Sequence, residues 1–267
     1  MSFNYKLAAI DLDGTLLGPD HLIPERNKRA IKALLERGVR CVIASGRMHE
    51  STTCFAQELD LEEPIISYNG AMVRDPITDA TWHHLTVPED PARDVIIYCR
   101  ENGYHLNYYL NNHLFAATFN QWAELYVNQT HSPLEVVGDL TRFCGTRPTK
   151  MILINSPAQT DSLLPYFRER LGDELYITKS NPEYLEFMNA KADKGSALKL
   201  VADRMGVKQS EVMAFGDGGN DMPMLQWAGL GVAMGEATPV VQASADSVAS
   251  CYEMGGLGAF IEGLLRD

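Results

Sequence analysis

Apolar residues along this chain fall into short unbroken runs, separated by stretches in which they recur every three or four positions. The first run, at 7–10, stops at Asp11 and predicts a buried parallel strand. Pro24 then stands where a helix would open, Ala30, Ile31, Leu34 and Leu35 follow helical spacing, and Gly38 supplies a stop. A second buried strand is predicted over 39–44, broken by Ser45-Gly46-Arg47. A helix over 49–59 and a strand over 64–67 follow, and Asn69-Gly70 signals a tight turn. The last third repeats the style, with a helix over 194–205, a strand over 212–215 running into Gly216-Asp217, and a helix over 220–228. A strand over 230–233 and a closing helix over 257–265 complete it. Strands and helices in alternation predict an α/β domain around a parallel sheet.

Between these halves the texture changes. Alternating, aromatic-rich strand patterns such as 104–110 and 184–188 are interleaved with helical patterns over 89–100, 120–128 and 158–171. The expectation is a second, α+β module inserted into the first, with residues 1–84 and 189–267 forming the core and 85–188 the insertion.

Composition narrows the function classes. The net charge of −12 argues against general affinity for nucleic acid or for an anionic membrane, both of which need a basic face. It also repels phosphate at long range, so a phosphate site here must supply local positive charge, and a metal ion is the obvious source. Five cysteines without a C-x-x-C pair read as reduced, mostly buried thiols of a cytoplasmic protein. The N-terminal stretch reaches acidic residues at once and reads as neither signal peptide nor membrane anchor.

The candidate chemistry sits at strand ends. Asp11, Ser45 and Asp217 each fall just beyond the carboxyl end of a predicted strand, and in an open parallel sheet those ends line one crevice. Asp11-Leu12-Asp13-Gly14-Thr15 sets two carboxylates two residues apart after an apolar run. Such a pair can divide phosphate-ester hydrolysis into two steps, one carboxylate attacking phosphorus and the other protonating the leaving alcohol. The run 216–221, Gly-Asp-Gly-Gly-Asn-Asp, adds Asp217 and Asp221, which with Asp11 make an all-oxygen set of the kind Mg²⁺ prefers. The bland alternative for that run is a glycine turn with an N-capping aspartate. Ser45-Gly46 offers a hydroxyl and an N–H to a phosphate oxygen, although Ser-Gly by itself is an ordinary turn. Lys194 opens a helix, where its charge opposes the dipole, which suggests that the charge serves a ligand.

Taken together, these strings resemble the haloacid dehalogenase-like superfamily, and in particular its Cof-type, subfamily IIB phosphatases. The similarity rests on 10–17, Ala44-Ser45-Gly46-Arg47, Tyr68-Asn69-Gly70-Ala71, Asp193-Lys194-Gly195 and 216–225. It implies a Rossmann-like core with a large α/β cap inserted between the serine and lysine strings. It implies Asp11 as nucleophile and Asp13 as general acid and base. Mg²⁺ would be held by the Asp11 carboxylate, the Asp13 backbone carbonyl and the Asp217 carboxylate, with Asp221 orienting water or Lys194 behind them. Phosphate would be held by the Leu12 backbone, Ser45, Gly46, Lys194 and Asn220. Arg47, Asn69 and Glu186 are implied as substrate-side candidates. Gly219 departs from relatives that carry Glu or Ser there, with the ligating neighbours intact.

The implied activity is Mg²⁺-dependent hydrolysis of a small phosphorylated metabolite, a sugar phosphate or similar, by a monomer or homodimer. The alternatives are a phosphomutase of the same superfamily and a catalytically weak phosphometabolite-binding regulator. Several other signals carry less. Gly229-x-Gly231 has the wrong spacing for a dinucleotide loop, and His83-His84 reads as an exposed strand end. Met222, Met224 and Met234 read as core packing. Tyr108, Tyr109, Asn111 and Asn112 read either as ligand contacts or, more blandly, as surface loop polars.

Overall fold

The computed structural model describes residues 3–130 and 132–266. Its first apolar run is strand β1 (Leu7–Ile10), buried at every position. Ala8 and Ile10 join one hydrophobic layer and Leu7 and Ala9 the opposite one. A strand buried on both faces is apolar throughout, which is why this run shows no alternation. Helix α1 (Glu25–Glu36), strand β2 (Arg40–Ile43), helix α2 (His49–Glu58) and strands β3 (Ile65–Ser67), β4 (Met72–Arg74) and β5 (Thr81–His84) follow.

The chain then builds a different sheet. Helix α3 (Glu89–Asn102) leads to strands β6 (His105–Leu110) and β7 (His113–Ala116), helix α4 (Gln121–Thr130) and strands β8 (Leu134–Val136) and β9 (Lys150–Ile154). Helix α5 (Pro157–Leu171) and strands β10 (Leu175–Asn181) and β11 (Tyr184–Asn189) complete it. Helix α6 (Lys194–Met205), strand β12 (Val212–Gly216), helix α7 (Met222–Trp227) and strand β13 (Leu230–Ala233) return to the first style. Helix α8 (Pro239–Gln242), strand β14 (Ser247–Val248) and helix α9 (Gly256–Leu264) end the chain. His84–Ala192 forms one compact unit, and the described residues on either side of it form the other.

In the discontinuous unit five parallel strands run in the order β14-β13-β12-β1-β2. Ala30, Ile31 and Leu34 of α1 and Leu257 and Ile261 of α9 cover one face; Leu198 and Val201 of α6 and Met224 and Leu225 of α7 cover the other. This is a Rossmann-like α/β core. Strand β1 lies between β12 and β2, so the order reverses there and the carboxyl end of β1 lies at the topological switch point.

The continuous unit holds six strands ordered β10-β11-β9-β6-β7-β8, antiparallel except for the β7–β8 pair. Val95, Ile96 and Cys99 of α3 and Leu163 and Phe167 of α5 bury one face of this sheet.

Several expectations are revised. The helix expected over 220–228 begins at Met222, and Asp221 is its N-cap, because Asn220 and Asp221 are needed in the turn. Tyr108 and Tyr109 lie in β6, as expected for 104–110, but are fully buried and not surface polars, while Asn111 and Asn112 adopt left-handed backbone in the hairpin turn, which asparagine tolerates. All five cysteines are free, but only Cys41 and Cys99 are buried. Gly231 is required by close approach, since a Cβ there would lie 2.1 Å from the Leu225 carbonyl oxygen. Among the described residues no helix is long and apolar enough to cross a membrane.

Candidate active site

Asp11 leaves β1 with its backbone N–H donated to the Phe215 carbonyl at 3.0 Å, which fixes it beside the end of β12. The chain then makes one wide turn over Leu12–Leu16, closed by Leu16 N–H on Asp11 O at 3.2 Å. Gly14 makes this turn possible. Its φ is +77°, and a Cβ would stand 2.4 Å from Oδ2 of Asp217, so the absent side chain is what admits that carboxylate. Thr15, given no role from sequence, reaches Asp217 Oδ1 at 3.5 Å.

Asp193 caps α6 by accepting the Ser196 N–H at 2.7 Å, which compensates for a lysine in the first turn. Lys194 itself is wholly inaccessible to solvent; its Nζ donates to Asp11 Oδ1 at 2.6 Å and to Asp221 Oδ1 at 2.5 Å. The other Asp221 oxygen accepts the backbone N–H groups of Asp217 at 3.0 Å and Gly218 at 2.9 Å. Asp221 therefore binds the lysine to the loop that carries Asp217. Gly216 allows it to sit there, because a Cβ would meet that of Asp221 at 2.5 Å.

The electrostatics follow from one ammonium facing three carboxylates. Burial first, and repulsion from Asp221 second, raise Asp11 well above the usual carboxylate range despite the opposing pull of Lys194. Burial and then Asp221 push Asp217 up to about 6. Burial alone would lower Lys194, but Asp11 and Asp221 outweigh it and raise it, so the lysine stays charged.

Asp13 is half exposed and is gripped by Arg47, whose Nε and Nη2 donate to its two oxygens at 2.9 and 2.6 Å. The guanidinium also lies 5.4 Å from the Phe55 ring centre, a contact that residue order did not predict. Ser45 is buried, and its hydroxyl accepts the Arg47 N–H at 3.1 Å. Asn220 donates to Asn69 Oδ1 at 2.9 Å, and a Cβ on Gly46 would meet the same oxygen at 2.8 Å. Leu12 is buried in the turn. The structure thus draws Asp11, Asp217, Asp221 and Lys194 into one network, Asp13 with Arg47 into another, and Gly46, Asn69 and Asn220 into a third.

Residues 8–261 match the haloacid dehalogenase-like hydrolase family. The chain belongs to that family. A phosphatase of Bacillus subtilis, YwpJ, is 26% identical over 286 residues, covering 97% of this chain and 100% of that protein. The B. subtilis 5-amino-6-(5-phospho-D-ribitylamino)uracil phosphatase YcsE is 31% identical over 248 residues, covering 91% of this chain and 89% of its own. The crystal structure of a Thermotoga maritima protein superposes with a TM-score of 0.89 at 32% identity, covering 97% of each chain.

This haloacid dehalogenase-like phosphatase has a donor set suited to Mg²⁺. One oxygen from each of Asp11, Asp217 and Asp221 lies within 4.8 Å of the others. All are hard oxygen donors, and the negative charge left over by Lys194 is what a divalent cation would neutralise. The side chain of Asp13 is not in this group, because Arg47 holds it.

Glu186, in the continuous unit, is 3% exposed and accepts Lys150 Nζ at 2.8 Å and the Ser180 hydroxyl at 2.6 Å, both on Oε1. Lys150 was missed from sequence. The available signal was a charged residue opening the apolar run 151–154, a placement that demands a buried partner.

Proposed function

We propose that this phosphatase hydrolyses small phosphomonoesters in two steps, with Asp11 as nucleophile and Asp13 as acid and base, and that it requires Mg²⁺. The observation that carries the reading is the Asp11–Lys194–Asp221 network at the switch point of the sheet. With Lys194 on Oδ1 of Asp11, Oδ2 is the oxygen left to attack phosphorus. The Asp11 oxygen bonds to phosphorus as the ester P–O bond breaks, and Asp13 donates a proton to the departing alkoxide oxygen. Asp13 then takes a proton from water as that water attacks the aspartyl phosphate, freeing inorganic phosphate and the Asp11 carboxylate. Lys194 offsets charge on the phosphoryl oxygens, and Ser45, Gly46, Asn220 and the Leu12 N–H hold them.

Mg²⁺ would be held by the carboxylates of Asp11 and Asp217 and the backbone carbonyl of Asp13, with Asp221 positioning Lys194 and the loop. Bound there, it would neutralise phosphate charge and bring the anionic ester and the anionic nucleophile together. Arg47 is assigned to positioning Asp13, which must surrender one of its two guanidinium bonds to reach the leaving group. The continuous unit is assigned the role of cap, reading the organic part of the ester. A sugar phosphate or similar metabolite is supported by the ribityl substrate named for YcsE. The acidic surface charge and free thiols support work in the cytoplasm.

The test is phosphate release from p-nitrophenyl phosphate and a panel of phosphometabolites, with and without Mg²⁺. Mg²⁺-dependent release that disappears in Asp11→Asn is the expected result. A panel on which the unsubstituted protein transfers phosphate between sugar positions without releasing it would make the protein a mutase.

A further inference from the structure

Between β3 and β4 the chain turns through Tyr68-Asn69-Gly70, and all three residues have positive φ, at +51°, +54° and +94°. Glycine and asparagine tolerate this region, but a tyrosine in it is strained. Such strain persists only where the surroundings over-determine it. Here the surroundings are the segments assigned to phosphate. The Tyr68 N–H donates to the Arg47 carbonyl at 2.9 Å and the Asn69 N–H to the Ser45 carbonyl at 3.0 Å, which ties the turn to the Ser45-Gly46-Arg47 loop. Gly70 lies against the start of α6, where a Cβ would stand 2.1 Å from the Asp193 carbonyl oxygen and 3.0 Å from the Lys194 nitrogen. Tyr68 itself is wholly buried.

The turn delivers one side chain to a neighbour of different character. Asn69 is buried, whereas Asn220, on the loop after β12, is exposed. Nδ2 of Asn220 donates to Oδ1 of Asn69 at 2.9 Å, and that oxygen also lies beside Gly46, 2.8 Å from where a Cβ would be. A carboxamide carries two donor protons on nitrogen and an acceptor oxygen. Asn69 Oδ1 accepts from the amide nitrogen and repels the amide oxygen, so the bond commits Asn220 to one orientation. One Nδ2 proton is given to Asn69 and the second is left for an anion. Turned over, the amide would place a carbonyl oxygen there, which repels Asn69 Oδ1 and a phosphoryl oxygen alike. Asparagine at 69 tolerates the left-handed backbone and supplies the acceptor without setting a negative charge beside the anion.

We infer that Asn69 is a positioning residue of the phosphate site. Held by the strained turn, its side-chain oxygen fixes the Asn220 amide with the second Nδ2 proton directed at a phosphoryl oxygen, beside the Gly46 N–H. Asn69 acts through Asn220, a different role from the substrate contact that the family resemblance implied for it. This deepens the phosphatase reading, on which it rests for the assignment of Asn220 to phosphate.

The test is a double-mutant cycle on the binding of inorganic phosphate with Mg²⁺ present, followed by phosphorus NMR titration. Asn69→Gly removes the acceptor and leaves the left-handed backbone unstrained. It should weaken binding about tenfold, the lower end of what one hydrogen bond to a charged group is worth, and Asn220→Ala should cost at least as much. In the Asn220→Ala background, adding Asn69→Gly should cost about twofold or less, because the group that Asn69 positions is gone. Losses that multiply in the double variant overturn the inference, since Asn69 would then meet phosphate itself or act through the fold at large. Unchanged affinity in either single variant overturns it too, as does an unsubstituted protein that binds no phosphate at millimolar concentration. Proton–nitrogen NMR of the unsubstituted protein covers the case in which Asn69→Gly does not fold. On adding phosphate, one of the two Asn220 Nδ2 proton resonances should move while the one bonded to Asn69 stays; both moving alike, or neither, overturns the inference. Failure of the phosphatase reading shows separately, as absent phosphate release from p-nitrophenyl phosphate by a protein that still binds phosphate.

Discussion

Each unit of this protein buries one lysine against carboxylate, and the two are satisfied to different degrees. Lys194 has no solvent exposure and bridges Asp11 and Asp221, and the remaining Asp221 oxygen is tied to two backbone N–H groups. Lys150 meets Glu186, whose second oxygen is left bare. A closed network fixes atoms in place, as a nucleophile needs, because every displacement breaks several charged bonds at once. An open one leaves a buried polar atom unpaired at a cost in stability. The contrast separates a lysine whose partner Asp221 has both oxygens tied from one whose partner keeps an oxygen unpaired.

Replacing Lys194 by Met is the strongest way to break this contrast. It strands two buried carboxylates, so it should destabilise the fold by about 3–5 kcal/mol and abolish phosphate release. Denaturant titration without metal checks the first, and unchanged stability would remove Lys194 from the network. Removing the other pair completely should behave differently. Lys150→Met combined with Glu186→Leu substitutes a buried ion pair by apolar groups and should change stability by no more than about 1 kcal/mol, in either direction. A loss as large as that of Lys194→Met would mean that the two sites do the same structural job.

Arg47→Ala gives a smaller effect. The pair it breaks is partly exposed, so stability should fall by less than about 1 kcal/mol. Alkyl phosphates should slow by about tenfold, a fraction of a general acid's contribution, while p-nitrophenyl phosphate, whose leaving group needs no proton, should slow less. Equal slowing on both would detach Arg47 from the acid's positioning.

The smallest effect concerns His49, buried in the reactive unit with Nδ1 unpartnered. Burial first, and Arg74 second, push it down to about 4. Its neutral form contributes stability that is fully present above the unfolded value of about 6.5 and is lost as pH falls towards 4. His49→Gln should therefore flatten the fall in stability between pH 6.5 and 4 in thermal melts. Asp217, raised to about 6, has the opposite slope in an overlapping window, because its stability contribution is lost as pH rises. The informative quantity is thus the difference between the variant and the unsubstituted protein.

Much of the reactive unit was legible from residue order. The apolar run 7–10 could only be a strand buried on both faces, and Asp11 at its end could only lie at the sheet's carboxyl edge. The helix over 194–205 and the strand over 230–233 form at the expected bounds. In the continuous unit the strands over 104–110 and 184–188 and the three helices also form near their expected bounds, whereas the order in which its strands pair was not legible, because β9 and β11 are brought beside β6 from far along the chain. Tyr108 shows what residue order left open: in a strand that was expected, it reads as a ligand contact or a surface polar, yet it is fully buried, with Phe143 stacked 5.3 Å away.

By itself the sequence determined the elements of the core, the positions of its carboxylates and the short string that sets Asp11 and Asp13 two residues apart, because local pattern and backbone demand act over a few residues. Only the tertiary structure decided which charges meet. That Lys194 clasps Asp221 as well as Asp11, that Arg47 holds Asp13, and that Glu186 keeps one oxygen unpaired depend on sheet order and strand register. Hydrogen bonds act over about 3 Å, and nothing in the linear chain records which distant residues are brought within that reach.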